Sequence, residues 1–110
     1  MPSYLLQVGY TPEAWATLIK NPHDRLEAVR PAIEKLGGRI EAGWYAFGDY
    51  DVVTIVEMPD NVSAAAFSLA ASAGGAVRTI KTTPLLSTAE AVAAMKKAGT
   101  TAYKPPKRKG

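Results

Sequence analysis

Two aspartates that flank a tyrosine form the pattern in this chain most able to do chemistry. Asp49 and Asp51 lie two residues apart around Tyr50, so on a strand their carboxylates would face the same way. Such a pair could supply a general acid and base or bind a hard cation. The interpretation we favour is structural: Asp49 shapes a hairpin turn, and Asp51 accepts hydrogen bonds from nearby backbone N–H groups.

The chain has a single histidine, His23, directly after Pro22 and before Asp24. An imidazole could act as a general base, a metal ligand or the axial ligand of a haem. One histidine without any cysteine does not make a usual zinc site, so we predict no metal centre. Since His23 lies at a predicted helix start, we favour a solvated surface position for it.

Large aromatic side chains and one arginine complete the set of candidate ligand-binding residues. Trp15, Trp44, Tyr45 and Tyr50 combine wide apolar surfaces with polar tips, which suit a cleft for a flat organic molecule. For any one of them, a place in the core or in a subunit interface is the simpler interpretation. Arg78 could hold an acidic ligand group, although isolated basic side chains are usually solvated. The glycine pairs lack nucleotide-loop spacing, so we expect no cofactor.

The charge distribution argues against a nucleic-acid partner. The net charge of +3 comes from residues 99–110, which contain four Lys/Arg and no acid; the other 98 residues hold nine Lys/Arg against ten Asp/Glu. The predicted folded body is therefore nearly neutral and has no basic stripe. No apolar run approaches the ~20 residues that a membrane-spanning helix needs. The chain also lacks cysteine, and we expect a cytoplasmic protein without membrane contact.

Hydrophobic periodicity and turn residues indicate the elements that would position these side chains. Strands are predicted over residues 4–9, 39–47, 51–58 and 77–83. Helices are predicted over residues 12–36, 62–73 and 88–98. The first helix is split at Asn21-Pro22 because proline cannot continue the hydrogen-bond ladder. Gly48-Asp49 forms the tight turn that joins the second and third strands into a hairpin.

This order of elements predicts an α+β ferredoxin-like sandwich, βαββαβ, with an antiparallel sheet, a split first helix and an extra C-terminal helix. The expected strand order is 4-1-3-2, with helices on one face. Leu5, Val53 and Ile55, or their alternates, must then lie on the other face. A bare apolar sheet face on a small domain is usually an interface. We therefore expect a homodimer or higher oligomer, with sheet-to-sheet contact as the simplest arrangement.

The helix over residues 62–73 is a second surface of interest, because residues 61–77 contain no charged side chain. A surface helix normally presents a polar face to water. Either its serines and alanines suffice as a weakly polar outer face, or the helix makes a second protein contact.

The hairpin region resembles the signature of the GYD-domain family. The residues that carry the resemblance are Gly48-Asp49-Tyr50-Asp51-Val52-Val53 and, after them, Glu57-Met58-Pro59-Asp60. Leu36-Gly37-Gly38 and Gly75-Ala76-Val77-Arg78-Thr79 agree in order. The resemblance implies a domain over residues 1–98 of the dimeric α/β-barrel group and assigns no chemistry. Residues 99–110 are expected to form a disordered basic tail.

Two classes of function remain open at the level of sequence. The first is a binding protein without catalysis, which holds a small organic molecule or acts through protein assembly. The second is a cofactor-independent oxygenase or isomerase acting on a small aromatic or polyketide-like compound, by analogy at the level of the fold. A deep pocket with a polar residue of strongly perturbed pKa would favour the enzyme.

Overall fold

The computed structural model describes residues 1–107 and orders them into alternating strands and helices. The elements are β1 (Ser3–Tyr10), α1 (Pro12–Lys20), α2 (Arg25–Lys35), β2 (Arg39–Tyr45), β3 (Val52–Glu57), α3 (Asn61–Ala73), β4 (Val77–Leu85) and α4 (Thr88–Ala98). Within these residues no helix is long and apolar enough to cross a membrane. The predicted tail lies partly outside the described residues, and its described part after residue 101 forms neither helix nor strand.

The four strands form one antiparallel sheet in the order β2-β3-β1-β4. This is the predicted order 4-1-3-2, and the predicted α+β ferredoxin-like class is confirmed. The central strand β1 pairs with both β3 and β4, so that Leu6 lies opposite Thr54 on one side and Thr82 on the other. The register fixes which side chains share a face, because the side-chain period of a strand is two.

Side-chain caps define where the helices begin. Thr11 accepts a hydrogen bond from the backbone of Ala14 at the start of α1. Asp24 accepts from the backbone N–H groups at the start of α2, which separates α2 from α1 as the split first helix predicts. Ser87 forms a capping box with Glu90 at the start of α4. These caps satisfy backbone donors that have no partner within the helix.

The helices α2 and α3 pack on one face of the sheet, which we call the covered face. The core on this side contains Tyr4, Leu6, Ile33, Val56, Met58 and Ala64, each at most 4% exposed. Gly38 has no room for a side chain, because a Cβ there would meet the sulfur of Met58. Burial of this cluster is the main source of stability for the domain.

The opposite face of the sheet, which we call the open face, presents Leu5, Val53, Ile55 and Trp44. The first three are half-buried, and Trp44 is 57% exposed. They share a face because Leu5 is paired with Ile55, and Trp44 with Val53. The described residues place no helix layer across them. The predicted apolar open face is therefore present.

The helices α3 and α4 carry apolar side chains that face away from the core. In α3, Ala64 is buried, whereas Val62 and Leu69 are 79% and 71% exposed. In α4 no residue is buried, and Val92 and Met95 are 48% and 69% exposed.

The radius of gyration is 18.0 Å, against about 13 Å for a compact domain of this size. The chain is thus more extended than its core requires.

Candidate functional site

A cavity of about 660 Å³ lies between the covered face and the two helices packed on it. Its floor is the sheet, with side chains from β1, β3 and β4, and its walls are α2 and α3. The lining residues used below are Tyr10, Arg25, Leu26, Val29, Phe67 and Ala71. Sites for small organic ligands are typically concave, mostly apolar and about 300–1,000 Å³ in volume. The cavity has the size and character of such a site.

The cavity stays open because α3 presents small side chains to it. Ala66, Ala70 and Ala71 line the α3 wall, and Phe67 is the one large side chain that this helix contributes to the lining. On the sheet, Gly43 has no Cβ, and the side chain of Leu26 packs into that position. The small α3 side chains leave room between this helix and the sheet, whereas at Gly43 the helix α2 packs closely on β2.

The floor of the cavity offers no unpartnered polar atom. Thr54 is 3% exposed, and its hydroxyl donates to the carbonyl of Ala42 at 2.6 Å. On the α3 side, the hydroxyls of Ser68 and Thr82 lie 2.7 Å apart. In the described part of the chain no buried side-chain nitrogen or oxygen lacks a partner. The floor therefore presents apolar surface, and its buried side-chain polar atoms are already paired within the protein.

Polar groups gather at one end of the cavity, where β1 ends and α2 begins. Tyr10 and Arg25 both line the cavity there. The hydroxyl of Tyr45 accepts a hydrogen bond from the backbone N–H of Arg25 at 3.0 Å. This bond fixes the start of α2 above the end of the hairpin. We call the group of Tyr10, Arg25 and Tyr45 the polar mouth.

The phenol of Tyr10 has a pKa raised above the ordinary value of 10.0. Burial is the main cause, since it disfavours the charged phenolate. The neighbouring phenol of Tyr45 raises it further, and the nearby guanidinium of Arg25 acts in the opposite direction. A phenol is protonated near neutral pH even at its ordinary pKa, and the raised pKa of Tyr10 favours this donor form further.

Asp51 connects three elements beside the polar mouth. Its carboxylate accepts from the backbone N–H of Tyr10 at 2.8 Å and from the indole Nε1 of Trp15 at 3.3 Å. Its backbone N–H donates to the carbonyl of Val8, and its own carbonyl accepts from Ala46. The rings of Trp15 and Tyr10 meet edge to face with centroids 5.5 Å apart. Asp51 thereby holds β1, α1 and the hairpin together.

The other predicted site residues do not converge on the cavity. His23 is exposed, and its Nδ1 lies 2.8 Å from the carbonyl of Asn21. Trp44 is on the open face, and Tyr50 is in the loop between β2 and β3. Arg78 donates to the carbonyl of Asp49 at 2.9 Å. Its guanidinium lies over Gly9, where a Cβ would come within 2.7 Å of it.

Sequence reasoning missed Tyr10, Arg25 and Phe67. Tyr10 lies at a strand end and Arg25 at a helix start, and neither position carries a local signal of binding. Two weak signals were available in the sequence: a glycine inside a strand, Gly43, which suggests close approach of another element, and the uncharged, alanine-rich α3. Among residues 1–107 no group of His, Asp and Glu side chains is arranged to hold a metal ion.

A charged pair lies at the rim of the open face. Arg39 donates through Nε to Glu57 at 2.6 Å. This hydrogen bond, followed by one with Glu41, lowers the pKa of the Glu57 carboxyl to about 2. The pKa of Glu41 is raised, chiefly by its hydrogen bond with Glu57. Charge on this face thus lies at two edges: the Arg39–Glu57 pair beyond Ile55, and on β4 the exposed Lys81, which is paired with Gln7 in the row of Val53.

Comparison with known proteins places the sequence in a family. The model of the GYD domain matches residues 4–95. This chain belongs to the GYD-domain family. A curated relative from Thermus thermophilus, named "Glutamine synthetase and cystathionine beta-lyase binding protein", is 32% identical over 81 residues, which cover 73% of this chain and 84% of the relative. No solved structure matches the chain significantly.

The GYD domain of this chain includes both the cavity and the open face. The matched residues extend from Tyr4 in β1 to Met95 in α4. The signature residues 48–53 form the loop of the β2–β3 hairpin and the start of β3. Within that signature, Asp51 makes the contacts with Tyr10 and Trp15 described above.

Proposed function

We propose that this GYD-domain protein binds a small, largely apolar organic molecule in the cavity under α2 and α3. The observation that carries the proposal is the cavity itself, about 660 Å³ and lined mostly by aliphatic and aromatic side chains. Burying apolar ligand surface there is favourable at roughly 25 cal/mol per Å². We also propose that the protein acts in the cytoplasm, as expected from its cysteine-free sequence.

Binding is favoured over catalysis by the chemistry of the polar mouth. An oxygenase or isomerase that works without a cofactor needs a general base with a pKa matched to neutral pH. The pKa of Tyr10 is raised rather than lowered, so its phenol is a donor and not a base. Asp51 already accepts two N–H groups of the protein, which supports a structural role for its carboxylate.

The proposal is tested by filling the cavity. Ala71 lines it, whereas Ala65 lies exposed on the same helix and outside the lining. With N-phenyl-1-naphthylamine as a neutral fluorescent probe, we expect Ala71→Phe to abolish binding and Ala65→Phe to bind like the wild type. Native mass spectrometry should likewise find a retained ligand in all but Ala71→Phe. Equal probe binding by the two folded variants would refute the proposal.

We also propose that the protein assembles as a homodimer or higher oligomer through the open face. Leu5, Val53 and Ile55 form an apolar patch on the two central strands, with Gln7 paired to Val53. The charged residues lie around it, with Arg39 and Glu57 at one rim and Lys81 on the edge strand β4. An apolar centre within a polar rim is the usual anatomy of a stable interface. The same patch on a second copy is self-complementary about a two-fold axis.

A second candidate function is recognition of another protein, and α3 favours it. Its outer surface is uncharged and exposes Val62 and Leu69, and exposed apolar patches often mark interaction sites. The Thermus thermophilus relative is named for binding two enzymes. Purified glutamine synthetase from the same organism as this chain should bind the wild type and fail to bind Leu69→Asp. Ala28→Asp, which adds the same charge at an exposed position of α2, outside the α3 surface, is the control. Binding by both variants would remove α3 as the contact.

A further inference from the structure

We infer that the cavity takes an elongated apolar molecule that ends in a carboxylate, seated between the guanidinium of Arg25 and the hydroxyl of Tyr10. The inference rests on the proposed binding function and adds the chemical class of the ligand. It depends on the composition of the polar mouth, on the charges around it and on the shape of the cavity behind it.

The first argument is the charge of Arg25. Its side chain is half-buried and lines the cavity, yet residues 1–107 provide it with no salt bridge. The ion pairs in that part of the chain join Arg30 to Glu27 and Arg39 to Glu57. A guanidinium in a mostly apolar wall is best satisfied by an oxyanion that accepts two of its N–H groups.

The nearby carboxylates already have other partners. Asp24 precedes Arg25, and its side chain accepts from the backbone of Leu26 and Glu27 as the cap of α2. Asp51 accepts from the backbone of Tyr10 and from the indole of Trp15. Among residues 1–107 neither carboxylate forms a salt bridge with Arg25; the ion pairs there are Arg30–Glu27 and Arg39–Glu57. A carboxylate that enters with the ligand would supply an ion partner for the Arg25 guanidinium.

The second argument is the donor character of Tyr10. The phenol lines the same end of the cavity as Arg25, and like any phenol it is protonated at neutral pH and can donate a hydrogen bond. The hydroxyl of Tyr45 accepts from the backbone of Arg25, which holds the start of α2 at this end. The Arg25 guanidinium lies beside the Tyr10 phenol, so both side chains can donate to a single carboxylate bound at this end of the cavity.

The third argument is the shape of the cavity behind the mouth. The lining follows α2 from Arg25 through Val29 to Leu36, and the 11 residues of this helix span about 15 Å at 1.5 Å per residue. Along that length the walls are aliphatic except for Phe67 and the exposed Lys35. An extended hydrocarbon body fits such a wall, and the head group remains at the mouth.

The test compares two ligands that differ only in the head group. Isothermal titration calorimetry at neutral pH measures decanoate and decan-1-ol against the wild type, Arg25→Gln, Tyr10→Phe and Arg30→Gln. Arg30 is on the same helix, outside the cavity lining, and pairs with Glu27, so Arg30→Gln controls for loss of one positive charge. Circular dichroism confirms that each variant is folded; the bond from the Arg25 backbone to Tyr45 does not depend on the Arg25 side chain.

We expect the wild type and Arg30→Gln to bind decanoate at least about tenfold more tightly than decan-1-ol, because charge-assisted hydrogen bonds are strong in apolar surroundings. Arg25→Gln should lose that preference and bind decan-1-ol unchanged, and Tyr10→Phe should lose part of it. Equal affinity of the wild type for both ligands, or a preference retained in Arg25→Gln, would overturn the carboxylate inference and leave the cavity proposal standing. Binding of neither ligand by the wild type would also overturn the carboxylate inference. If Ala71→Phe and Ala65→Phe in addition bind the naphthylamine probe equally, the cavity proposal is overturned with it.

Discussion

The two faces of the sheet use neighbouring residues of the same strands for different tasks. On the covered face Tyr4, Leu6 and Val56 are at most 2% exposed and support a core and a cavity. On the open face Leu5 and Ile55, each the sequence neighbour of a buried residue, are half-buried and have no helix layer over them. A strand with large apolar residues on both faces favours a packing partner on each face of the sheet. Here one partner is the protein's own helices, and we propose that the other is a second copy.

The sharpest way to test this comparison is to truncate two adjacent leucines. Leu6→Ala should lower the free energy of unfolding by about 2–5 kcal/mol, because it removes a buried side chain and leaves a cavity in the core. Leu5→Ala removes the same atoms from the open face and should cost clearly less in a dilute sample. Urea denaturation at low and high protein concentration measures both.

The dependence of the unfolding free energy on protein concentration distinguishes a residue of the core from a residue of an interface. If Leu5 lies in an interface, the cost of Leu5→Ala should grow as the protein concentration rises, because assembly then contributes to the stability of the wild type. The cost of Leu6→Ala should grow little. Equal costs for the two variants at every concentration would mean that the faces do not differ as described.

The next largest effect is expected on the subunit count. Ile55→Lys places a charge at the centre of the open face, where desolvating it in an interface is costly. Light scattering should therefore report a folded monomer for this variant and a dimer or larger species for the wild type. Val62→Lys, on the exposed side of α3, is the control and should leave the assembly unchanged. A monomeric wild type at micromolar concentration, or dissociation by Val62→Lys alone, would exclude the open face as the interface.

The fold was predictable from the sequence because its signals are local. The caps at Thr11 and Asp60 and the β-branched run of β3 each indicate one element boundary or type. The hairpin itself was predictable, but its tight turn was not correct: β2 ends at Tyr45 and β3 begins at Val52, so Gly48-Asp49 lies within a longer loop, and Gly48 does not adopt a positive φ. Once the order βαββαβ is known, right-handed crossovers leave few sheet topologies. The strand order therefore followed from elements that were each visible in a short window.

The site was much less predictable, because a bulge and a distant pairing determine it. The register of β2 against β3 shifts between Ile40 and Ala42, and one extra residue exchanges the faces for everything after it. Trp44, a predicted ligand-binding residue, consequently lies on the open face, whereas Tyr45 faces the helices. Likewise Tyr10 and Arg25 meet only because α2 folds back over the end of β1. The hydrophobic periodicity of the sequence predicts neither the bulge in β2 nor the contact between Tyr10 and Arg25.

A smaller effect is expected at the junction where the covered face meets the hairpin. Asp51→Ala removes an acceptor from the backbone of Tyr10 and from Trp15 and should cost about 1–3 kcal/mol, since these donors are partly buried. Asp51→Asn keeps one acceptor oxygen and should cost less. Denaturation followed by Trp15 fluorescence in a Trp44→Phe background measures both. Negligible, equal costs would remove the structural role of Asp51 and make it a candidate for the site again.

The smallest effect is expected from the charged rim of the open face. The bond from Arg39 is the main reason that the pKa of Glu57 falls from 4.5 to about 2 on folding. Because the folded-state pKa is the lower one, the pair stabilises the protein above about pH 4.5, and this contribution is lost as the pH falls toward 2. Unfolding free energies of the wild type and Glu57→Gln should therefore converge over that range. The difference should be small and should shrink with added salt, since the Arg39 side chain is 65% exposed. Curves that stay parallel from pH 5 to pH 2 would show that the rim does not contribute to the stability of the open face through this pair.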